Sequence, residues 1–104
     1  MSKRQEKVRE LLRHLAAQFL SEEANRSPLI TVIDVQIPSD FREAKVFVTV
    51  YPEAQEEAAM AYLKRKRGDL REFVKENSRM KALPHFDFVI DRGEKHRQRI
   101  EELI

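Results

Sequence analysis

Cysteine is absent from the 104-residue chain. Its absence excludes disulfide frameworks, thiolate zinc sites and cysteine nucleophiles, and it suits a reducing compartment. Glycine occurs only twice, and neither position belongs to a phosphate-binding glycine loop. HExxH and GxSxG patterns are missing too. No apolar run approaches the roughly 20 residues that span a bilayer, and the charged N-terminal stretch has no signal-peptide h-region. A cytoplasmic protein without membrane attachment is expected. No internal repeat, low-complexity segment or linker interrupts the chain.

What is present is a charge-rich globular composition, 41% hydrophobic and 37% charged. The length predicts one domain over residues 1–104, large enough to bury a core without metal or disulfide staples. The net charge of +2, from 20 basic and 18 acidic residues, hides an uneven distribution. Residues 64 to 81 hold eight cations against three anions, a local +5 that leaves −3 for the rest of the chain. Positive potential is thus concentrated on one element.

Periodicity predicts the elements. Val8, Leu11, Leu12, Leu15, Ala16 and Phe19 recur at steps of three and four, one face of a helix over residues 3 to 20. LITVIDVQI (29 to 37) reads as a strand with Leu29, Ile33, Val35 and Ile37 facing inward. AKVFVTVY (44 to 51) is a second strand, with Ala44, Val46, Val48 and Val50 inward and Lys45, Phe47, Thr49 and Tyr51 outward. The short connection between the two predicts an antiparallel hairpin. Pro52 opens a helical stretch whose buried stripe is Ala58, Ala59, Tyr62 and Leu63, resuming after Gly68 at Leu70, Phe73 and Val74. A third strand follows Pro84, with Phe86, Phe88 and Ile90 on one face, and a short C-terminal helix is predicted from about Glu94. Val46, Val48, Phe73, Phe86 and Phe88 are the expected core. The order α-β-β-α-kink-α-β describes an α+β two-layer domain.

The segment KRKRGDLREF (64 to 73) runs four cations into a glycine inside a helical region. Glycine is costly in a helix and frees the backbone, so Gly68 is the expected bend point and Asp69 the expected cap of the second helix. Lys64, Arg67, Arg71, Lys75 and Arg79 are spaced by three and four, one cationic edge if the bend reorients them little. Arg65 and Lys66 lie off that edge and add field. Asp69, Glu72 and Glu76 follow a separate line, so the signs are segregated. Segregated charge together with outward amides at a helix start suits a nucleic-acid backbone, and a solvated basic face is the plainer alternative. Phe47 and Tyr51, interleaved with Lys45, either stack bases, or pack beneath the tail, or simply suit strand geometry. His14, His85 and His96 lie on separate elements without metal-ligand spacing. Asp34, Asp87 and Asp91 form a carboxylate cluster only if their strands converge. Neither set points to catalysis, and no metal, cofactor or small-molecule substrate is expected. A protein module whose basic edge docks an acidic partner is the second reading.

Three stretches carry a resemblance. DVQIPSDFREAKVFVTV (34 to 50), KRGDLREFV (66 to 74) and RMKALPHFDFVIDRGEKHRQRIEELI (79 to 104) occur in the order and spacing of the ribosome-binding factor A family, a branch of the type II KH fold. The chain resembles that family from about Val8 to Ile104. The resemblance implies a non-catalytic assembly factor, monomeric when free. Such factors bind the immature small ribosomal subunit and its ribosomal RNA, assist late maturation and rRNA processing, and are associated with growth in the cold. Lys64, Arg65, Lys66, Arg67, Gly68, Arg71, Lys75 and Arg79 are then the expected RNA-binding residues. Two departures stand out. The family usually has Ala where this chain has Lys66, and a long side chain there separates the helices unless it points outward. The Gly-x-x-Gly loop of ordinary KH domains is also missing, so their four-nucleotide groove does not follow.

Overall fold

The computed structural model describes residues 2–23 and 29–93, and its first helix, α1 (Lys3–Glu23), begins with a reciprocal cap. The Gln5 amide donates to the Ser2 hydroxyl at 3.1 Å while the Ser2 amide donates to Gln5 Oε1 at 3.1 Å. This is a capping box, which satisfies two of the donors that a helix start leaves orphaned. Ser2→Ala should cost about 1 kcal/mol, read as a lower denaturant midpoint with an unchanged slope. One face of α1 then buries Leu12, Leu15, Ala16, Phe19 and Leu20, the face that its spacing predicts.

The sheet has three strands in the order β1-β2-β3. β1 (Leu29–Gln36) pairs antiparallel with β2 (Glu43–Tyr51), and β2 pairs parallel with β3 (His85–Ile90). The parallel pair requires a crossover, which is supplied by α2 (Glu56–Arg65) and α3 (Arg67–Glu76). A single 3₁₀ turn, Glu53–Gln55, separates Pro52 from α2, so the proline precedes the helix rather than opening it. Val46, Val48, Ala44, Phe86 and Phe88 of the sheet share one core with Leu63 of α2, Leu70 and Val74 of α3 and the buried face of α1. The helices therefore cover one face of the sheet, which is the expected two-layer arrangement. β2 alternates as its sequence demands, and Tyr51 stands 74% exposed at its end.

β1 departs from the expected phase. Its register with β2 slips between Val32 and Asp34, so an extra residue enters the strand and reverses the alternation. Ile30 and Val32 pack against the core before the bulge, and Val35 and Ile37 are buried after it. Leu29 and Ile33, expected inside, are exposed. Smaller corrections concern the helices. Ala58 is exposed and Met60 takes its place against the core. Phe73 is half-buried, its ring 5.6 Å from that of Phe19 at 55°. The predicted C-terminal helix lies outside the described residues.

Candidate nucleic-acid interface

α2 ends at Arg65 because Lys66 leaves helical geometry, with φ −95° and ψ 1°. α3 begins at the next residue, and its first helical hydrogen bond runs from the Leu70 amide to the Lys66 carbonyl at 2.9 Å. The bend is thus one residue long and centred on Lys66, not on Gly68. Lys66 sits in the bridge region open to any L-residue, so the turn needs no glycine. Gly68 lies in the first turn of α3, lacks a positive φ, and would present a Cβ to open space. Gly68→Ala should therefore raise stability by up to about 1 kcal/mol, visible as a higher melting temperature. Asp69 does not cap α3, since no side-chain cap bond exists there. Its carboxylate faces Lys66 Nζ instead, at 3.6 Å.

The Lys66 side chain answers the question raised by the missing alanine. Its ammonium lies 5.7 Å from the centre of the Tyr62 ring as well as near Asp69. The side chain thus lies against residues of both helices, and at 29% exposure it is not fully buried between them.

Lys64, Arg65, Arg67, Arg71, Lys75 and Arg79 are all exposed, and so is Gly68. On α3, Arg67, Arg71 and Lys75 occupy one line at successive turns, beside the buried Leu70–Val74 stripe. At about 3.6 residues per turn, Asp69, Glu72 and Glu76 fall on a different face. The segregation of charge expected from spacing holds within this helix. Arg65 and Lys66 stand off that line, and Arg79 lies past the end of α3 in the loop.

Two of the arginines are held. Arg67 Nε donates to the Lys64 carbonyl at 3.1 Å, which ties the cationic end of α2 to the start of α3. Its Nη1 lies 3.6 Å from Asp87 Oδ1 on β3. Arg71 Nη2 donates to the Leu83 carbonyl at 3.4 Å. The line of cations thus runs along the flank where α3 meets the 83–87 segment. Spacing could not reveal these contacts, because the partners come from an element distant in sequence. A parallel contact exists at the opposite edge of the sheet, where Arg9 of α1 grips Asp34 Oδ1 of β1 through Nε at 3.1 Å and Nη2 at 3.0 Å. Asp34 and Asp87 therefore each face an arginine. Among the described residues no group of three or more His, Asp or Glu side chains could hold a metal ion. No helix among them is long and apolar enough to cross a membrane.

A family model described as ribosome-binding factor A matches residues 4–104. The ribosome-binding factor A of Chlorobaculum parvum is 36% identical over 108 residues, covering 100% of this chain and 90% of that protein. The crystal structure of the Thermus thermophilus factor superposes with a TM-score of 0.75 at 26% identity, over 86% of this chain and 98% of that one. Coordinates of the Thermus thermophilus factor fitted into the cryo-EM map of a 30S complex superpose with a TM-score of 0.71, also at 26% identity, over 82% and 92% of the two chains. The sheet order, the helix junction and these likenesses agree on a KH-like fold, and the chain belongs to the ribosome-binding factor A family.

Proposed function

We propose that this chain is a non-catalytic assembly factor of the cytoplasm that binds the small ribosomal subunit late in its maturation and assists rRNA processing. It holds ribosomal RNA by its backbone, through Lys64, Arg67, Arg71, Lys75 and Arg79, while Arg65 and Lys66 add positive field. Gly68 leaves the first turn of α3 uncovered, and the leading amides there donate to one phosphate. The free protein is a monomer.

The observation that carries this reading is the join between family and surface. A family member of the same fold has been fitted into a 30S complex, and this chain lines three exposed cations, Arg67, Arg71 and Lys75, along one flank of α3, with Lys64 and Arg65 exposed at the end of α2 before it. Guanidinium and ammonium groups in a line suit phosphates spaced along a strand, and such contacts position a protein without reading sequence. Sedimentation of the protein with ribosomal particles from growing cells tests the partner. Co-migration with immature small subunits is expected, and confinement to the free fraction would overturn the reading. Salt tests the chemistry. About four phosphate contacts should give a slope of log affinity against log salt near −3. An acidic protein partner would instead leave RNA affinity negligible at every salt concentration.

A further inference from the structure

Among the described residues, Arg67 of this edge faces a carboxylate of β3, and the geometry of that contact has a direction. Asp87 is anchored on its own strand, where Oδ1 accepts the Phe88 amide at 3.1 Å. Arg67 is anchored at the other side, because its Nε is given to the Lys64 carbonyl at 3.1 Å. With Nε engaged, a two-pronged grip on an anion must use the Nη1 and Nη2 end of the guanidinium. Nη1 is the atom that lies 3.6 Å from Asp87 Oδ1. A phosphate entering that fork therefore meets the Asp87 carboxylate.

We propose that Asp87 is an anionic competitor at the RNA-binding edge: it occupies Arg67 in the free protein, and an RNA phosphate must displace it. The proposal rests on the reading that this edge holds RNA backbone. Both side chains are about half exposed, 48% and 47%, so the pair is weak and exchanges readily. Asp87 is not stranded when Arg67 turns away. Its register partner on β2 is Lys45, exposed on the same face of the sheet. Arg71 is different, because its partner is the neutral Leu83 carbonyl. Of the two fixed arginines, only Arg67 is contested by a charge. Asp87 thus lowers RNA affinity, and it does so most at low salt.

The test measures the affinity of the full chain for a fluorescent RNA hairpin of mixed sequence across a salt series. Asp87→Asn keeps an oxygen for the Phe88 amide and removes the charge. It should tighten binding by about three- to fivefold near physiological salt, with the gain shrinking as salt rises. In an Arg67→Gln background the gain should vanish. Glu76→Asn, which removes a charge from another face of α3, should give a smaller gain. Unchanged or weaker binding in Asp87→Asn overturns the proposal, as does a gain matched by Glu76→Asn or one that survives in Arg67→Gln. In each of those cases a loss of affinity in Arg67→Gln alone leaves the cationic edge standing. If Arg67→Gln binds like the parent, the assignment of Arg67 to RNA fails and the proposal fails with it. Melting temperatures of the variants, expected to match the parent, guard against misfolding as the cause of any loss.

Discussion

Phe86→Ala is expected to destabilise the domain by about 3–5 kcal/mol, the ordinary cost of emptying a buried aromatic site. Phe86 is 4% exposed and belongs to the single core that joins the sheet to all three helices. Its strand lies at the edge of the sheet, after the helical crossover. Domains of this size rarely exceed 5–15 kcal/mol of total stability, and a loss of about 3 kcal/mol lowers the melting temperature by more than about 10 °C. Tyr51→Ala serves as the control, since Tyr51 is 74% exposed and should cost less than about 0.5 kcal/mol. Denaturant titration separates the two. Equal losses at Phe86 and Tyr51 would contradict the alternation of the sheet.

Reversal of Arg67 and Arg71 to Glu should produce the second large effect. If both contact phosphate, affinity for RNA should fall about 10- to 100-fold near physiological salt, and the slope against log salt should drop from near −3 to about half that. The loss should be alike for all RNA sequences, because backbone contacts carry no base information. Stability should fall by less than about 1 kcal/mol, since both side chains are exposed and their contacts with Asp87 and the Leu83 carbonyl lie at the surface. Glu22→Lys, at the far end of α1, should leave binding and slope as they were. A double reversal that binds immature small subunits as tightly as the parent would reduce this edge to a solvated face.

The fold was legible where sequence period and burial obey one rule. β2 shows strict alternation and is buried accordingly, and α1 places its apolar residues where spacing puts them. β1 was not legible in full, because Ile30, Val32, Ile33, Val35 and Ile37 put apolar residues on both phases. Only the slipped register decides between them. The junction misled for a different reason. Glycine signals backbone freedom, but the bend falls on a lysine whose negative φ needs no glycine, and nothing in sequence marks it. The cationic line itself was legible from spacing within one helix. Its ties to Asp87 and Leu83 were not, since they depend on how α3 is laid beside β3. The Ser2–Gln5 cap is the opposite case. Its Ser-x-x-Gln signature is present in sequence and the helix start was read from apolar spacing alone.

β1 and β3 are the outer strands, and an outer strand offers its unused backbone groups to any neighbouring chain. Here Arg9 passes around β1 to Asp34 on the opposite face, and Arg67 passes around β3 to Asp87. Each long side chain straddles its strand, and β1 carries a bulge beside its straddling arginine. A strand arriving at β1 would have to dislodge the Arg9 guanidinium and straighten the bulge beside it, and one arriving at β3 would have to dislodge that of Arg67. Among the described residues, both edges of the sheet thus carry features that disfavour its extension by a second chain.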